Sequence, residues 1–269
     1  MAAPAPSLVE VGLDGARVPL GVHVTPCTEG PRLVWLHGWG QDHRAFAALQ
    51  SFFAGEAEHV GLDMPGFGIA PPPPGDWSTQ DYGRLLGAYL ATLAPRPTVL
   101  VGHSFGVRVI LRLAAAGAPG WVARLVLIAG AGLQRRRSAP ARLRAAALKL
   151  LGRAARLADR LLGTKLHAAY AARFGSADYR KAGPLRGTFV KVVTEDQSDT
   201  AARVKLPTLL LYGEKDTETP PEFGTRYRAL IAGSTLRVLP GLDHYSVLGT
   251  SAHQVKSALR AFLKEGGLL

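Results

Sequence analysis

Gly102-His103-Ser104-Phe105-Gly106 stands between a segment suited to a strand and one suited to a helix. Upstream, Thr98-Val99-Leu100-Val101 is short, apolar and β-branched and is bounded by Pro97, which predicts a buried strand. Downstream, Val107-Arg108-Val109-Ile110-Leu111-Arg112-Leu113-Ala114 carries apolar residues at helical spacing up to the breakers Gly117, Pro119 and Gly120. A Gly-x-Ser-x-Gly at such a junction turns the chain so sharply that the serine takes strained backbone geometry. Only small residues at 102 and 106 then let strand and helix approach each other. The Ser104 hydroxyl is held out from the sheet, and the Phe105 backbone N–H, at a helix N-terminus, is free to meet a developing oxyanion. The five residues alone also fit a plain glycine-rich turn, so the rest of the chain decides.

A serine nucleophile requires a base, and the base an orienting carboxylate. In a sheet enzyme both come from the carboxyl ends of later strands. Pro207-Thr208-Leu209-Leu210-Leu211-Tyr212 predicts such a strand and runs into Gly213-Glu214-Lys215-Asp216. Leu236-Arg237-Val238-Leu239 predicts the next and leads into Pro240-Gly241-Leu242-Asp243-His244. Of eight histidines, His244 alone follows the last strand and precedes a C-terminal helical pattern. A lone loop histidine is ordinarily a solvated surface residue; a serine and an acid placed in order before it favour a base. The acid is Glu214, Asp216 or Asp243. Earlier, the strand Leu33-Val34-Trp35-Leu36 opens into His37-Gly38-Trp39-Gly40, whose Trp39 N–H is positioned to act as a second oxyanion donor. Asp63-Met64-Pro65-Gly66-Phe67-Gly68, after the strand His59-Val60-Gly61-Leu62, reads as a structural turn.

Together these phrases resemble the α/β-hydrolase superfamily, in the esterase-like branch of serine hydrolases with a cap. The resemblance runs from about residue 33 to the C-terminus. It implies a mostly parallel, doubly wound α/β sheet with an inserted helical cap, and the triad order Ser104, Asp216, His244. Asp216 is preferred over its rivals because Gly213-Glu214-x-Asp216-x-x-x-Pro220 resembles the acid-bearing loop of the superfamily. Some relatives place the acid after the preceding strand, but Leu125-Val126-Leu127-Ile128 runs into Ala129-Gly130-Ala131-Gly132, which offers none. Asp243 departs from the glycine that often precedes this histidine, and His37 is implied to support its loop. Serine at 104 argues against the epoxide hydrolase and haloalkane dehalogenase branches. The implied reaction is cleavage of a carboxylic ester through an acyl-enzyme, with no cofactor and a small-molecule ester as substrate. Three alternatives stay open. The first is an esterase or thioesterase acting on acyl-carrier- or coenzyme-linked acyl groups. The family that demethylates a carrier-bound pimeloyl chain shares the His-Gly-Trp-Gly and Pro-Gly-Phe-Gly phrases but has tryptophan where this chain has His103. The second is a carbon–carbon bond hydrolase, which would want a cap arginine over the substrate. The third, a binding module on a hydrolase fold, sits poorly with a complete Ser, Asp and His set.

A chain of 269 residues is ample for one such core plus an insertion. The expected division is a core of residues 1–133 and 205–269 with a cap at 134–204. The start, Met1 to Pro6, has neither a basic region nor an apolar core, so no signal peptide is read, and no apolar run is long enough for a membrane span. Cys27 is the only cysteine; with no intrachain disulfide possible, the cytoplasm is the expected compartment. No metal-ligand spacing, phosphate loop or dinucleotide fingerprint appears. Pro71 to Pro74 reads as a stiff surface spacer near the pocket mouth.

Charge is the second informative feature. Between Arg135 and Arg203 the chain carries 16 Lys/Arg and 5 Asp/Glu, a net of +11 out of +12 overall. The first half of that segment reads as an amphipathic helix, with Arg142, Lys149, Arg153, Arg156 and Arg160 on one face. Leu143, Leu150, Leu151, Leu157, Leu161 and Leu162 lie on another, and Gly152 is a potential break. Three readings follow: a solvated basic face, a docking surface for an acidic partner such as an acyl carrier protein, or contact with an anionic membrane surface. Nucleic acid is excluded as a partner, because no recognised binding module and few aromatics accompany the arginines. Oligomeric state is not legible.

Overall fold

The computed structural model describes residues 6–135, 139–166, 169, 173, 177–249 and 252–269. The start of the N-terminal stretch, residues 1–5, lies outside them, as do the side chains of Arg142 and Lys149. Eight strands form one sheet: β1 Ser7–Leu13, β2 Ala16–Thr25, β3 Arg32–Leu36, β4 Glu58–Asp63, β5 Thr98–His103, β6 Val122–Ile128, β7 Thr208–Gly213 and β8 Ser234–Leu239. Their order is β1-β2-β4-β3-β5-β6-β7-β8; β3 to β8 run parallel, and β1 and β2 add an antiparallel edge.

The central strands are apolar throughout because both faces of the sheet are covered. Successive side chains alternate between two cores. Val34, Leu36, Leu100, Leu125, Leu127 and Leu210 point to one, and Leu33, Trp35, Val99, Val101, Val126 and Leu209 to the other. The first face is covered by α2 (Thr79–Leu90), α3 (Phe105–Ala116) and the helix Pro221–Leu230; the second by α1 (Ala47–Phe52) and the C-terminal helix His253–Glu265. This is the doubly wound α/β arrangement expected.

Between β6 and β7 the chain leaves the sheet. It forms α4 (Ala139–Leu162) and shorter helices at Ala177–Lys181, Arg186–Thr194 and Ser198–Ala202. Gly152 does not break α4: it is buried, and the helix runs through it for 24 residues. The later part of the segment is anchored to the core by α3. Arg108 Nη1 donates to the Val192 carbonyl at 2.7 Å, and Arg112 meets the Glu195 carboxylate at 3.1 Å. Phe189 packs edge-on against Trp39, with ring centroids 5.0 Å apart. Among the described residues, no helix is long and apolar enough to cross a membrane.

Candidate active site

β5 ends at His103, α3 begins at Phe105, and Ser104 alone makes the turn between them at φ 48° and ψ −101°. That left-handed backbone is costly for a residue bearing a Cβ, by about 1–3 kcal/mol. It is held by the Ser104 N–H donating to the Ile128 carbonyl at 3.0 Å and by close packing on either side. A Cβ at Gly106 would collide with the Leu36 carbonyl oxygen, and one at Gly102 would lie 2.9 Å from the Gly106 backbone. The glycines thus set the approach of α3 to β3 and β5 that points Ser104 outward.

Two strand ends, those of β7 and β8, bring the remaining groups to this hydroxyl. Ser104 Oγ lies 3.1 Å from His244 Nε2, and His244 Nδ1 lies 2.8 Å from Asp216 Oδ2. With the Nδ1–H donating to the carboxylate, Nε2 accepts from the serine, so one tautomer completes both bonds. Asp216 and His244 are both buried. Burial alone would raise the Asp216 pKa. The His244 bond, together with the Thr219 hydroxyl at 2.9 Å and backbone N–H at 2.8 Å, outweighs burial and holds the carboxyl below its ordinary range. The Glu218 N–H adds a further donor at 2.8 Å. The rival acids sit elsewhere. Glu214 accepts from the Gly241 N–H, and Asp243 Oδ1 caps the short turn after it through the N–H groups of Tyr245 and Ser246.

Both ring nitrogens of His37 are hydrogen-bonded to backbone groups and neither to Ser104. Its Nδ1 donates to the Gly38 carbonyl at 2.7 Å and its Nε2 accepts from the Met64 N–H at 3.2 Å, bracing the loop as the family resemblance implies. Burial pushes its pKa down. The Trp39 indole packs against Phe67, Phe105 and Phe189, with centroids 5.0–5.6 Å apart. Among the described residues, no protein acceptor takes the backbone N–H of Trp39 or of Phe105. A cleft of about 560 Å³ opens over this region, lined by Trp39, Phe67, Pro72, Lys181, Leu185 and Tyr245, so the inserted segment forms one wall.

Four participants were not read from the sequence. Thr219 Oγ1 lies within reach of Asp216 Oδ2, His244 Nδ1 at 3.2 Å and the Ala129 carbonyl at 3.0 Å. His103 lies 3.0 Å from Gln41 Oε1 and 2.9 Å from the His244 carbonyl oxygen, and Gln41 in turn holds the Gly38 N–H at 2.9 Å. Glu218 Oε2 lies 3.5 Å from His244 Nε2. Gly-Glu-x-Asp-x-x-Thr holds a legible cue for Thr219, since a hydroxyl three residues after an aspartate commonly closes a local turn. The contacts of Gln41, His103 and Glu218 depend on convergence of distant segments.

A larger cleft, about 820 Å³, lies away from the serine over His23, His43 and Asp63. Their ligand atoms lie within 4.8 Å of one another. Each Asp63 oxygen already accepts one backbone N–H and one imidazole. The two rings stack with centroids 3.2 Å apart at 12°, so their in-plane lone pairs run side by side instead of converging on one point. The cluster is a hydrogen-bonded brace for the loop that begins at Asp63.

The family model described as alpha/beta hydrolase family matches residues 33–258. Over 245 residues the chain is 28% identical to a pimeloyl-[acyl-carrier protein] methyl ester esterase of Chromobacterium violaceum, covering 84% of this chain and 91% of that one. A shorter stretch of 58 residues is 40% identical to the protein of the same description from a Shewanella species, spanning only 22% of either chain. A solved thermophilic esterase from Thermogutta terrifontis superposes with a TM-score of 0.70 at 20% identity, covering 98% of this chain and 99% of that one, a likeness of fold. The matched span holds β3, the Ser104 turn and the strand ends that carry Asp216 and His244, and the chain belongs to the alpha/beta hydrolase family.

Proposed function

We propose that the protein is a serine hydrolase that cleaves carboxylic esters through an acyl-enzyme, with Ser104, His244 and Asp216 as its triad. The observation that carries this reading is the unbroken chain of hydrogen bonds from Ser104 Oγ through His244 to Asp216. Ser104 Oγ attacks the ester carbonyl carbon while His244 Nε2 takes its proton, and the tetrahedral oxyanion is met by the backbone N–H groups of Trp39 and Phe105. The bond to the alkoxy group breaks, and His244 returns the proton to the leaving alcohol. Water repeats the sequence at the acyl-serine, releasing a carboxylic acid and restoring the hydroxyl. Asp216 holds the productive tautomer and balances the imidazolium. These steps use the chain's own groups and need no cofactor. Residues 134–204 act as a cap over the core formed by 1–133 and 205–269, which the Phe189–Trp39 contact supports. The single cysteine, Cys27, favours a reducing, cytoplasmic setting.

The relatives named as pimeloyl-[acyl-carrier protein] methyl ester esterases favour a second substrate class, an ester whose acyl chain is tethered to an acidic carrier protein. Two measurements test both readings. A fluorophosphonate probe is expected to label wild-type protein on Ser104 and to leave Ser104→Ala unlabelled; labelling elsewhere removes the nucleophile assignment. Turnover of p-nitrophenyl butyrate beside a carrier-bound methyl ester then assigns the substrate class.

A further inference from the structure

α4 carries a row of leucines turned away from the protein. Leu143, Leu150, Leu157 and Leu161 are 57–73% exposed and recur at intervals that place them on one line along the helix. Leu151 and Leu162 widen the row, and Leu166 extends it past the helix end. The less exposed side of α4 is a different one, marked by the buried Gly152 and the half-buried Leu148, Ala155 and Asp159. Arg153, Arg156 and Arg160 are exposed and form a second row, roughly 100° round the helix from the leucines. α4 holds six basic residues and one acid, Asp159, whose Oδ1 accepts from the Thr164 hydroxyl and the Leu166 N–H at the helix end.

A solvated basic face would not need leucines beside it, and a contiguous exposed apolar row on a soluble domain marks an interaction surface. The chemistry of that surface narrows the partner. An acidic protein would satisfy the arginines but would leave the leucine row without an apolar receptor. A second copy of the chain would cover the leucines but would bring two arginine rows together. An anionic bilayer supplies acyl chains and negative headgroups at adjacent depths, which is the profile of an interfacial helix with its arginines snorkelling. The net charge is also concentrated in the segment that contains α4: +11 of +12 lies in residues 135–203. A negative surface therefore attracts that segment.

We propose that α4 is a docking surface for an anionic lipid bilayer, lying in the headgroup layer with its leucine row toward the acyl chains. Docked this way, the protein presents to the membrane the same inserted segment that walls the cleft at Trp39 and Tyr245.

The test is flotation of the full chain with vesicles of phosphatidylcholine alone, and of phosphatidylcholine with roughly one third phosphatidylglycerol, at about 0.05 M and about 0.5 M salt. Wild-type protein is expected to float with the anionic vesicles, at least roughly tenfold more than with neutral ones, and several-fold less at the higher salt. A variant with Leu143, Leu150, Leu157 and Leu161 changed to Gln keeps the full positive charge and is expected to lose at least roughly tenfold in binding. So is one with Arg153, Arg156 and Arg160 changed to Glu. Leu157→Trp gives a readout that needs no loss of binding: its fluorescence should shift to the blue on anionic vesicles and be quenched by brominated acyl chains. Four outcomes each overturn the proposal. They are no flotation of wild type, unchanged binding of the leucine variant, a Leu157→Trp signal blind to brominated lipid, and a leucine-dependent dimer, or capture by an acidic acyl carrier protein, in place of vesicle binding.

Discussion

His103 Nε2 lies 2.9 Å from the backbone carbonyl oxygen of His244, so the residue before Ser104 holds the loop that carries His244. The other ring nitrogen faces Gln41 Oε1, which holds the Gly38 N–H of the loop carrying Trp39. Both neighbours are acceptors, and only an imidazolium would donate to both. Burial opposes that charge and pushes the His103 pKa down to about 3, so the ring is neutral and donates to one of the two.

A stability prediction follows from that pKa. The unfolded chain takes up a proton on His103 near pH 6.5, whereas the folded chain does so only near 3. The unfolded state therefore binds more protons across that window, and stability falls as pH drops through it. Each such histidine contributes a slope of at most about 1.4 kcal/mol per pH unit. His37 and His59, also shifted down by burial, act in the same direction. Urea unfolding of His103→Phe at pH 6.5, 5.5 and 4.5 is expected to show a shallower loss than wild type. An unchanged slope would mean that His103 titrates normally.

The acid assignment separates two neighbours of His244. Asp216→Asn removes the charge that balances the imidazolium and favours the wrong tautomer, so kcat for p-nitrophenyl butyrate should fall by about 10³–10⁴. Asp243→Asn alters only a turn cap on the surface and should change kcat less than about twofold. A reversed order of effects transfers the role to Asp243.

Thr219→Val deletes the hydroxyl shared by Asp216, His244 and the Ala129 carbonyl while keeping the side-chain shape. Removing one buried donor beside a charged acceptor costs about 1–2 kcal/mol, so kcat should drop roughly tenfold with KM nearly constant. A loss confined to KM would place Thr219 in substrate binding instead.

The central architecture was legible because its signals are local. Buried strands such as Val99 to Val101 are apolar runs closed by turn residues, and the Ser104 turn needs glycines at fixed places. The β1–β2 hairpin escaped, although Asp14-Gly15 marks it: both residues have positive φ, 50° and 80°, as a two-residue hairpin turn requires. Gly152 was read as a potential break, but burial compensates its low helix propensity. The amphipathic pattern of α4 was plain in the sequence; which stripe faces water was not. Periodicity gives the angle between two faces and leaves the neighbour unknown, so the exposed leucine row emerged only from the exposures along α4, with Gly152 buried and Leu148 half-buried. The Gln41–His103–His244 connection joins three segments far apart in the chain and has no local signature.

The Asp63 cluster gives a structural prediction independent of catalysis. Its carboxylate is fully buried. Burial would raise its pKa, but two backbone and two imidazole donors outweigh that and hold it below the ordinary carboxylate range. A depressed folded pKa contributes stability that is present above the unfolded value and lost as pH falls through the folded one. Asp63→Asn would turn an NH₂ toward a donor such as the Ile69 N–H, costing about 1–3 kcal/mol for the unsatisfied pair. A Tm lowered by several degrees with kcat within about threefold of wild type is expected. A collapse of kcat at constant Tm would make the cluster part of the reaction.

Glu218 supplies the last prediction. Its carboxylate lies 3.5 Å from His244 Nε2, on the nitrogen that accepts from Ser104, and its side chain is 49% exposed. In that tautomer Nε2 has no proton to give, so Glu218 acts through charge alone. An ester whose own carboxylate comes within about 6 Å of this charge is repelled by it. The repulsion there runs from about 0.7 kcal/mol in water to about 3 at an effective dielectric of 20. Half exposure and salt favour the lower end. Glu218→Gln should therefore raise kcat/KM about threefold to tenfold for a p-nitrophenyl ester of a dicarboxylic half-acid, less so at high salt, while p-nitrophenyl butyrate changes little. Equal gains on both substrates would show that Glu218 restrains His244 itself and does not sort substrates by charge.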